Sequence, residues 1–385
     1  MADNLYNLAL GLNYEMSSSQ QQIWKGIQRR LFYGDENSSH LRPVEGLIIT
    51  ALHYRVKHVE THKGLKAMLL VHKEINVTKN YQENADAVLA LGDTLDIVKT
   101  LPQKIFNLII TSPPYNIGKV YEKKQPLEEY LSWQKKVIIE LSDKLADNGS
   151  IIWQIGNFID SGEVYPLDIY FYPIFKSLGF KLRNRIIWHF DHGLHCKNRF
   201  SGRYETLIWF TKSDNYKFNL DSVRVPSKYP GKLHYKGPKK GLPSGNPLGK
   251  NPSDFWDKIC SEIEEGIIDI PNVKSNHPEK TTHPCQFPVE LIERCVLACT
   301  DENDWVLDPF GGVGSAVIAA VKNNRKGMMI EIEPEYIKIA SQRLTKLKNG
   351  ELKTRPIGKK IFQPTGREKI SQIPKNWEDQ QGVLI

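Results

Sequence analysis

The sequence predicts an α/β fold built on a mostly parallel sheet, on three observations. Short apolar runs end repeatedly in turn residues: AVLAL before Gly92-Asp93, FNLIIT before Ser112-Pro113-Pro114, and SIIWQIG after Asn148-Gly149. Runs of this kind suit parallel strands buried on both faces. LEEYLSWQKKVIIELSDKL carries apolar residues at helical spacing, as a crossover helix should. WVLDPFGGVGSAVIAAVKNNRKGMMIEI reads as strand, glycine turn, helix and strand.

Taken in order, residues 1–82 read as a helical accessory region for packing or dimerisation. Ser17 to Ser19 can cap QQQIWKGIQRRLF, while GLIITALHYRVKHV and GLKAMLLVHKEI repeat helix-like spacing. Residues 83–190 hold the first strands and their crossover helix. RNRIIWHF and ETLIWFTKS then read as two strands around an irregular segment, His192 to Gly202. From Asn215 to about Lys280 the chain is rich in Pro, Gly and Lys, with SKYPGKLHYKGPKKGLPSGNPLGKNP at its centre. Such a stretch is no core element, and is either a disordered insertion or a loop-rich recognition surface. Residues 276–345 resume regular structure with the helix FPVELIERCVLACT, the glycine-turn unit and a last helix; residues 346–385 read as a peripheral tail.

At 385 residues the chain can bury one substantial core plus smaller appended units. No apolar run approaches the ~20 residues of a membrane span. The start MADNLYNLAL lacks a basic-then-apolar leader, so a cytoplasmic protein without membrane contact is expected. Five cysteines without a CxxC pair argue against a disulfide framework or zinc cluster. His192, His195 and Cys196 in HGLHC lack a second half-site, so no metal is expected. The formal charge is +8, and between Lys181 and Lys250 there are 15 Lys plus Arg against four Asp plus Glu. That local excess points to a polyanionic partner.

Two motifs carry chemistry. In DPFGGVGS a strand delivers Asp308 and Phe310; Gly311, Gly312 and Gly314 then form a turn that opens a helix. Glycines let the backbone approach a ligand, and the helix start offers free N–H groups. A dinucleotide fingerprint would want a third glycine where Val317 stands, which speaks against an oxidoreductase. Glu331, at the tip of the next strand, can accept both hydroxyls of a ribose, which fits an adenosine-containing cofactor. In Thr111-Ser112-Pro113-Pro114-Tyr115-Asn116 the prolines fix the backbone, leaving carbonyls near Ser112 and Pro113 to orient an amino group. Tyr115 offers a face on which an extruded base can stack.

TSPPYNIG and DPFGGVGS, each at a strand end, resemble the catalytic and cofactor motifs of the amino-methylating DNA methyltransferases, in the order of that family's β-class. The resemblance implies a Rossmann-like methyltransferase fold with a seven-stranded sheet and S-adenosylmethionine as cofactor. By the same resemblance, Asp93 in LALGDTLDIVKTLP lines the adenine end of the pocket, and His283, Phe287 and Pro288 in THPCQFPVELIER cover the methionine end. Members often carry lysine in place of Phe287. Ser112, Pro113, Pro114 and Tyr115 become the catalytic set, with Ser112 an orienter in a direct transfer. Serine at that position favours cytosine N4 over adenine N6. Pro284-Cys285 is not the nucleophile of the cytosine C5 enzymes, because it precedes Asp308 and no Glu-Asn-Val segment exists.

Residues 191–275 then become the target-recognition region on double-stranded DNA, with Arg199, Arg203, Lys228, Lys232, Lys236, Lys239 and Lys240 as phosphate or base-edge contacts. The restriction-modification setting implies a cognate endonuclease on the same site, the methyltransferase itself being monomer or homodimer. An RNA amino-methyltransferase would share the cofactor unit, but the long basic insertion favours a duplex. A non-catalytic DNA-binding protein would be expected to lose Ser112, Tyr115 or the glycines.

Overall fold

The computed structural model describes residues 55–57, 70–72, 74–118, 122, 124–190, 193, 195–256, 270–271, 273 and 277–357. Two compact units divide the chain, Met1–Lys73 and Glu74–Ile385. In the first, β1 (Arg55–Lys57) and β2 (Leu70–His72) pair antiparallel, with Val56 opposite Val71. Both triplets fall inside segments whose spacing predicts helix, so the helical expectation is corrected there. Each is a triplet centred on a β-branched valine, too short for periodicity to separate helix from strand. Residues 74–82 carry no helix either, only the strand Val77–Thr78, so the expectation is corrected there too; the rest of it lies outside the described residues.

The second unit carries the sheet. In chain order its strands are β3 (Val77–Thr78), β4 (Ala87–Leu91), β5 (Phe106–Thr111), β6 (Leu145–Ile155), β9 (Lys181–His189), β10 (Tyr204–Thr211), β11 (Phe255–Trp256), β12 (Trp305–Asp308) and β13 (Lys326–Glu331); a separate hairpin pairs β7 (Asn157–Asp160) with β8 (Glu163–Pro166). The spatial order is β11-β9-β10-β6-β5-β12-β13-β4-β3, with β10 alone antiparallel to both neighbours. The expected seven-stranded, mostly parallel sheet is present, extended at each edge by a strand of two residues.

The sheet separates two cores, and β5 shows how. Beyond a register shift after Phe106, Ile109 enters one apolar cluster while Leu108 and Ile110 enter the other, the strand's period of two feeding both faces. Helices α1 (Thr94–Thr100), α2 (Leu127–Lys144) and α3 (Leu167–Ser177) cover the first face, α4 (Val289–Cys299), α5 (Ser315–Lys322) and α6 (Pro334–Lys348) the second. Strand order reverses between the parallel neighbours β5, which leads to β6 on one side, and β12, which leads to β13 on the other. A crevice forms beyond the strand ends at such a switch point. Asp93, Ser112, Pro309 and Glu331 all follow or end parallel strands at that crevice.

Two expectations about the periphery meet more structure than the sequence announces. Residues 225–250 keep a backbone frame, with Val225 bridged to Lys250, Leu233 to Pro243, and His234 N–H donating to the Leu242 carbonyl at 2.9 Å. Within residues 225–250 the chain is therefore loop-rich with a defined backbone frame. In the tail, Arg355 is buried, its N–H reaching Glu279 Oε1 at 3.1 Å and its guanidinium pairing with Glu290. A single arginine matched to buried carboxylates leaves no periodic signal, so residues 349–355 read as peripheral although they are anchored. The 257–268 insertion and residues 358–385 lie outside the described residues. Among the described residues no helix is long and apolar enough to cross a membrane.

Candidate active site

A cavity of about 490 Å³ opens at the switch point. Its floor is the glycine turn, where each glycine answers a different constraint. A Cβ on Gly311 would stand 2.5 Å from Met329 Cβ, and one on Gly314, where φ is +78°, 2.9 Å from Ala340 Cβ. These two let β13 and α6 approach the turn. Gly312, at φ +50°, faces the cavity, and a Cβ there would meet His283 Nε2 at 3.3 Å. Glu331 clamps the turn: Oε2 accepts from Gly312 N–H at 2.8 Å and Oε1 from Glu333 N–H at 2.9 Å. Thr94 Oγ1 donates to the Pro309 carbonyl at 2.6 Å, while Asp93 Oδ1 caps α1 through Leu95 N–H at 2.8 Å.

Asp308 lies beneath the turn. Burial pushes its carboxyl up to about 7, and the nearby Glu331 charge acts the same way; Thr111 Oγ1, donating at 2.7 Å, and Phe310 N–H, at 3.1 Å, oppose the rise. Burial also raises Glu331, against its backbone donors. His283 is lowered to about 4 by burial, with Lys280 adding to the effect. Its Nδ1 accepts from Cys285 N–H at 3.2 Å and its ring meets Tyr336 at 4.6 Å between centroids, so it presents a neutral ring to the cavity. The segment that carries it is stapled by Gln286, whose Oε1 accepts from Thr281 Oγ1 at 2.8 Å and whose Nε2 donates to the Glu279 carbonyl at 2.8 Å.

The opposite wall is the proline turn. Tyr130 Oη donates to the Pro114 carbonyl at 2.7 Å, and Asn116, at φ +61°, is held by Gln125 N–H at 2.7 Å and by its own N–H to Glu122 at 2.8 Å. Tyr115 Oη stands 3.1 Å from Ser112 Oγ, 3.4 Å from Glu205 Oε2 and 3.5 Å from the Gln154 carbonyl. Gln154 Nε2 donates to the same Glu205 oxygen. Burial raises the Tyr115 phenol well above its usual range, and the Glu205 carboxylate adds to it. A Cβ on Gly156 would meet Tyr115 Cε2 at 3.2 Å, so that glycine makes room for the ring.

The structure thus brings Ser112, Pro113, Pro114 and Tyr115 together in one cavity with Asp93, His283, Phe287, Asp308, Phe310, Gly311, Gly312 and Glu331. Pro288 and Gly314 stand behind the wall, as N-caps of α4 and α5. Arg199, Arg203, Lys228, Lys232, Lys236, Lys239 and Lys240 are outside the cavity, most of them exposed. Among the walls that sequence reading missed are Trp133 on α2, whose ring sits 5.5 Å from Phe310, Trp188 on β9, Gln154 on β6 and Glu205 on β10. Their only signal is a polar or bulky residue inside an apolar strand or helix pattern.

Comparison with known proteins agrees with this geometry. A DNA methylase family model of N6 and N4 enzymes matches residues 106–342. The chain is 49% identical over 255 residues to the Type II methyltransferase M.BglII of Bacillus subtilis, covering 66% of this chain and 68% of that one. It is 36% identical over 272 residues to M.ScaI of Streptomyces caespitosus (69% and 84% covered), and 31% identical over 260 residues to the DNA adenine methyltransferase YhdJ of Escherichia coli K12 (66% and 81%). Among solved structures, the cytosine-N4-specific PvuII DNA methyltransferase shares the fold at a TM-score of 0.51 and 21% identity, over 70% of this chain and 93% of that one. The protein belongs to the N6/N4 family of amino-methylating DNA methyltransferases.

Proposed function

We propose that the protein transfers a methyl group from S-adenosylmethionine to N4 of a cytosine extruded from duplex DNA. The observation that carries this is one cavity shared by the proline turn and the glycine turn. The cofactor fits the residues present: the space over Gly312 is one that any side chain would fill, and Glu331 beside it keeps lone pairs for ribose hydroxyls. Glu331 and Asp93 would hold its adenosine end, and His283, Phe287, Phe310 and Asp308 the methionine end, with Pro288, Gly311 and Gly314 setting the walls. When bound, it supplies a methyl group activated by the sulfonium charge.

The protein's own task is the nucleophile. An exocyclic amino nitrogen delocalises its lone pair into the ring. Ser112 Oγ and the Pro113 carbonyl, accepting its hydrogens, draw that lone pair out of the ring and aim it. Pro114, tied to Tyr130, keeps the turn rigid, and Tyr115 provides the stacking face. Orientation of this kind supplies up to ~7–11 kcal/mol in well-aligned cases, so the transfer is direct and uses no covalent intermediate. Ser112 in the orienting position supports cytosine. Similarity to the adenine enzyme YhdJ is the observation that keeps adenine N6 as the second reading.

Arg199, Arg203, Lys228, Lys232, Lys236, Lys239 and Lys240 would neutralise phosphates and read base edges across residues 191–275, with residues 1–82 as the accessory unit and 346–385 as the tail. Likeness to Type II enzymes supports a restriction-modification role in the cytoplasm, with an endonuclease reading the same site and the methyltransferase acting as monomer or homodimer. Incubation with tritiated S-adenosylmethionine and duplex DNA, single-stranded DNA or RNA tests the reading. Label should enter duplex DNA; label confined to RNA would transfer the same chemistry to an RNA enzyme, and no label in any acid would overturn it.

A further inference from the structure

Glu205 lies on β10, about 90 residues along the chain from the proline turn it faces, and belongs to neither motif. Its Oε2 receives Gln154 Nε2 and stands 3.4 Å from Tyr115 Oη, which is 3.1 Å from Ser112 Oγ. Gln154 is buried, so its amide is fixed in this role. A carboxylate accepts and does not donate, whereas a phenol and a serine hydroxyl do either. Tyr115 Oη also has the Gln154 carbonyl at 3.5 Å, but the Glu205 carboxylate is nearer and charged, hence the stronger acceptor; a phenol proton given to Glu205 leaves the Tyr115 oxygen to accept the Ser112 proton. With its hydrogen committed to Tyr115, Ser112 presents lone pairs to the cavity.

Resting on the amino-methylation reading above, we propose that Glu205 is a positioning residue that sets the direction of the Ser112–Tyr115 hydrogen bonds, making Ser112 an acceptor for the target amino group, and receives the proton that methylation releases. The step balances. The amino nitrogen forms its bond to the methyl carbon as the carbon–sulfur bond breaks, its electron pair leaving with sulfur. The nitrogen's proton passes to Ser112 Oγ as the serine proton passes to Tyr115 Oη and the tyrosine proton to Glu205 Oε2. Glu205 ends neutral and, being only half-buried, returns the proton to solvent.

Glu205→Gln keeps the shape and an oxygen for Gln154 to donate to, but it can turn an N–H toward Tyr115 and reverse the chain of donors. Single-turnover methylation should fall by about 100-fold, the scale of a lost proton-transfer partner, with cofactor affinity unchanged. In a Tyr115→Phe background, where the relay is already cut, adding Glu205→Gln should cost nothing more, since residues acting through one network are non-additive. A second readout needs no turnover: wild type should bind a duplex carrying its target base more tightly than one whose target lacks the amino group, and Glu205→Gln should lose that preference. Equal effects of Glu205→Gln with and without Tyr115, or a retained amino preference, would overturn the proposal. Because wild-type methylation is measured in the same series, its absence would instead overturn the underlying reading.

Discussion

The cavity and the basic segment around residues 225–250 meet the same partner in the proposed reaction but are built by opposite means. In the cavity, side chains are buried or half-buried and each has a partner at a defined distance: Asp308 under Thr111, Glu331 on Gly312, Tyr115 between Ser112 and Glu205. In the basic segment Lys232, Lys236, Lys239 and Lys240 stand in solvent on a frame of a few backbone hydrogen bonds. Burial specifies orientation, and orientation is what transfer to an amino group requires. Exposure preserves long-range charge, and charge is what attracts a phosphate backbone without fixing a sequence. The two regions should therefore fail differently when altered, and each of the following substitutions either sharpens that separation or breaks it.

The largest effect is expected at the turn. Gly312→Val places a β-branched residue at φ +50° with its Cβ against His283. Strain of ~1–3 kcal/mol at such a backbone position, added to the filled space, should weaken S-adenosylmethionine by ~100-fold or more. Titration calorimetry should show the loss with the circular dichroism spectrum retained. Unchanged affinity would remove the turn from the cofactor site. Tyr115→Ala comes next: it deletes a stacking face of ~1–3 kcal/mol and should slow methylation by one to two decades while cofactor binding survives. Ser112→Ala should also slow transfer yet leave some activity, as suits an orienter; complete loss would make Ser112 an obligatory base.

On the exposed side, replacing Lys236, Lys239 and Lys240 together by alanine should weaken duplex binding and flatten its salt dependence, by a log–log slope of ~0.9 for each phosphate no longer neutralised. Cofactor affinity should not move, and an unchanged slope would take this loop off the DNA. The last effect is read in stability rather than in binding or transfer, and concerns Asp308. Burial raises it from the ordinary 3.8 to about 7, so between those values the folded state holds a proton that the unfolded chain has released. Its contribution to stability therefore falls as pH rises through that window. Asp308→Asn lacks this dependence, so urea unfolding should show the variant gaining on wild type from pH 4 to 7; a constant difference would contradict the buried ionisation.

How far the sequence discloses each region follows from the same contrast. Strand ends and the glycine turn are local patterns, and AVLAL, FNLIIT and WVLD all appear as the strands their runs predict. Glu205 and Gln154 are not local patterns: each is a polar residue beside the apolar run of its strand, and only the β10–β6 pairing brings them together beside Tyr115. Helix α3 is equally illegible, because LDIYFYPIFKS is aromatic-rich and contains Pro173, although Phe171 and Phe175 pack its face into the core. Gly314 shows the reverse case, a motif residue legible in the sequence whose near neighbours are Ala340 and Met329 rather than the cavity. The basic segment could be read only by its charge, since composition reports an electrostatic footprint and not a binding geometry.

Nucleoside analysis of DNA methylated by the wild-type protein tests the central claim most directly. Digestion after reaction with labelled S-adenosylmethionine should release label in N4-methyldeoxycytidine, the product of direct transfer to an amino group held by Ser112 and Pro113. N6-methyldeoxyadenosine alone would overturn the choice of base and keep the mechanism, whereas 5-methyldeoxycytidine would contradict both.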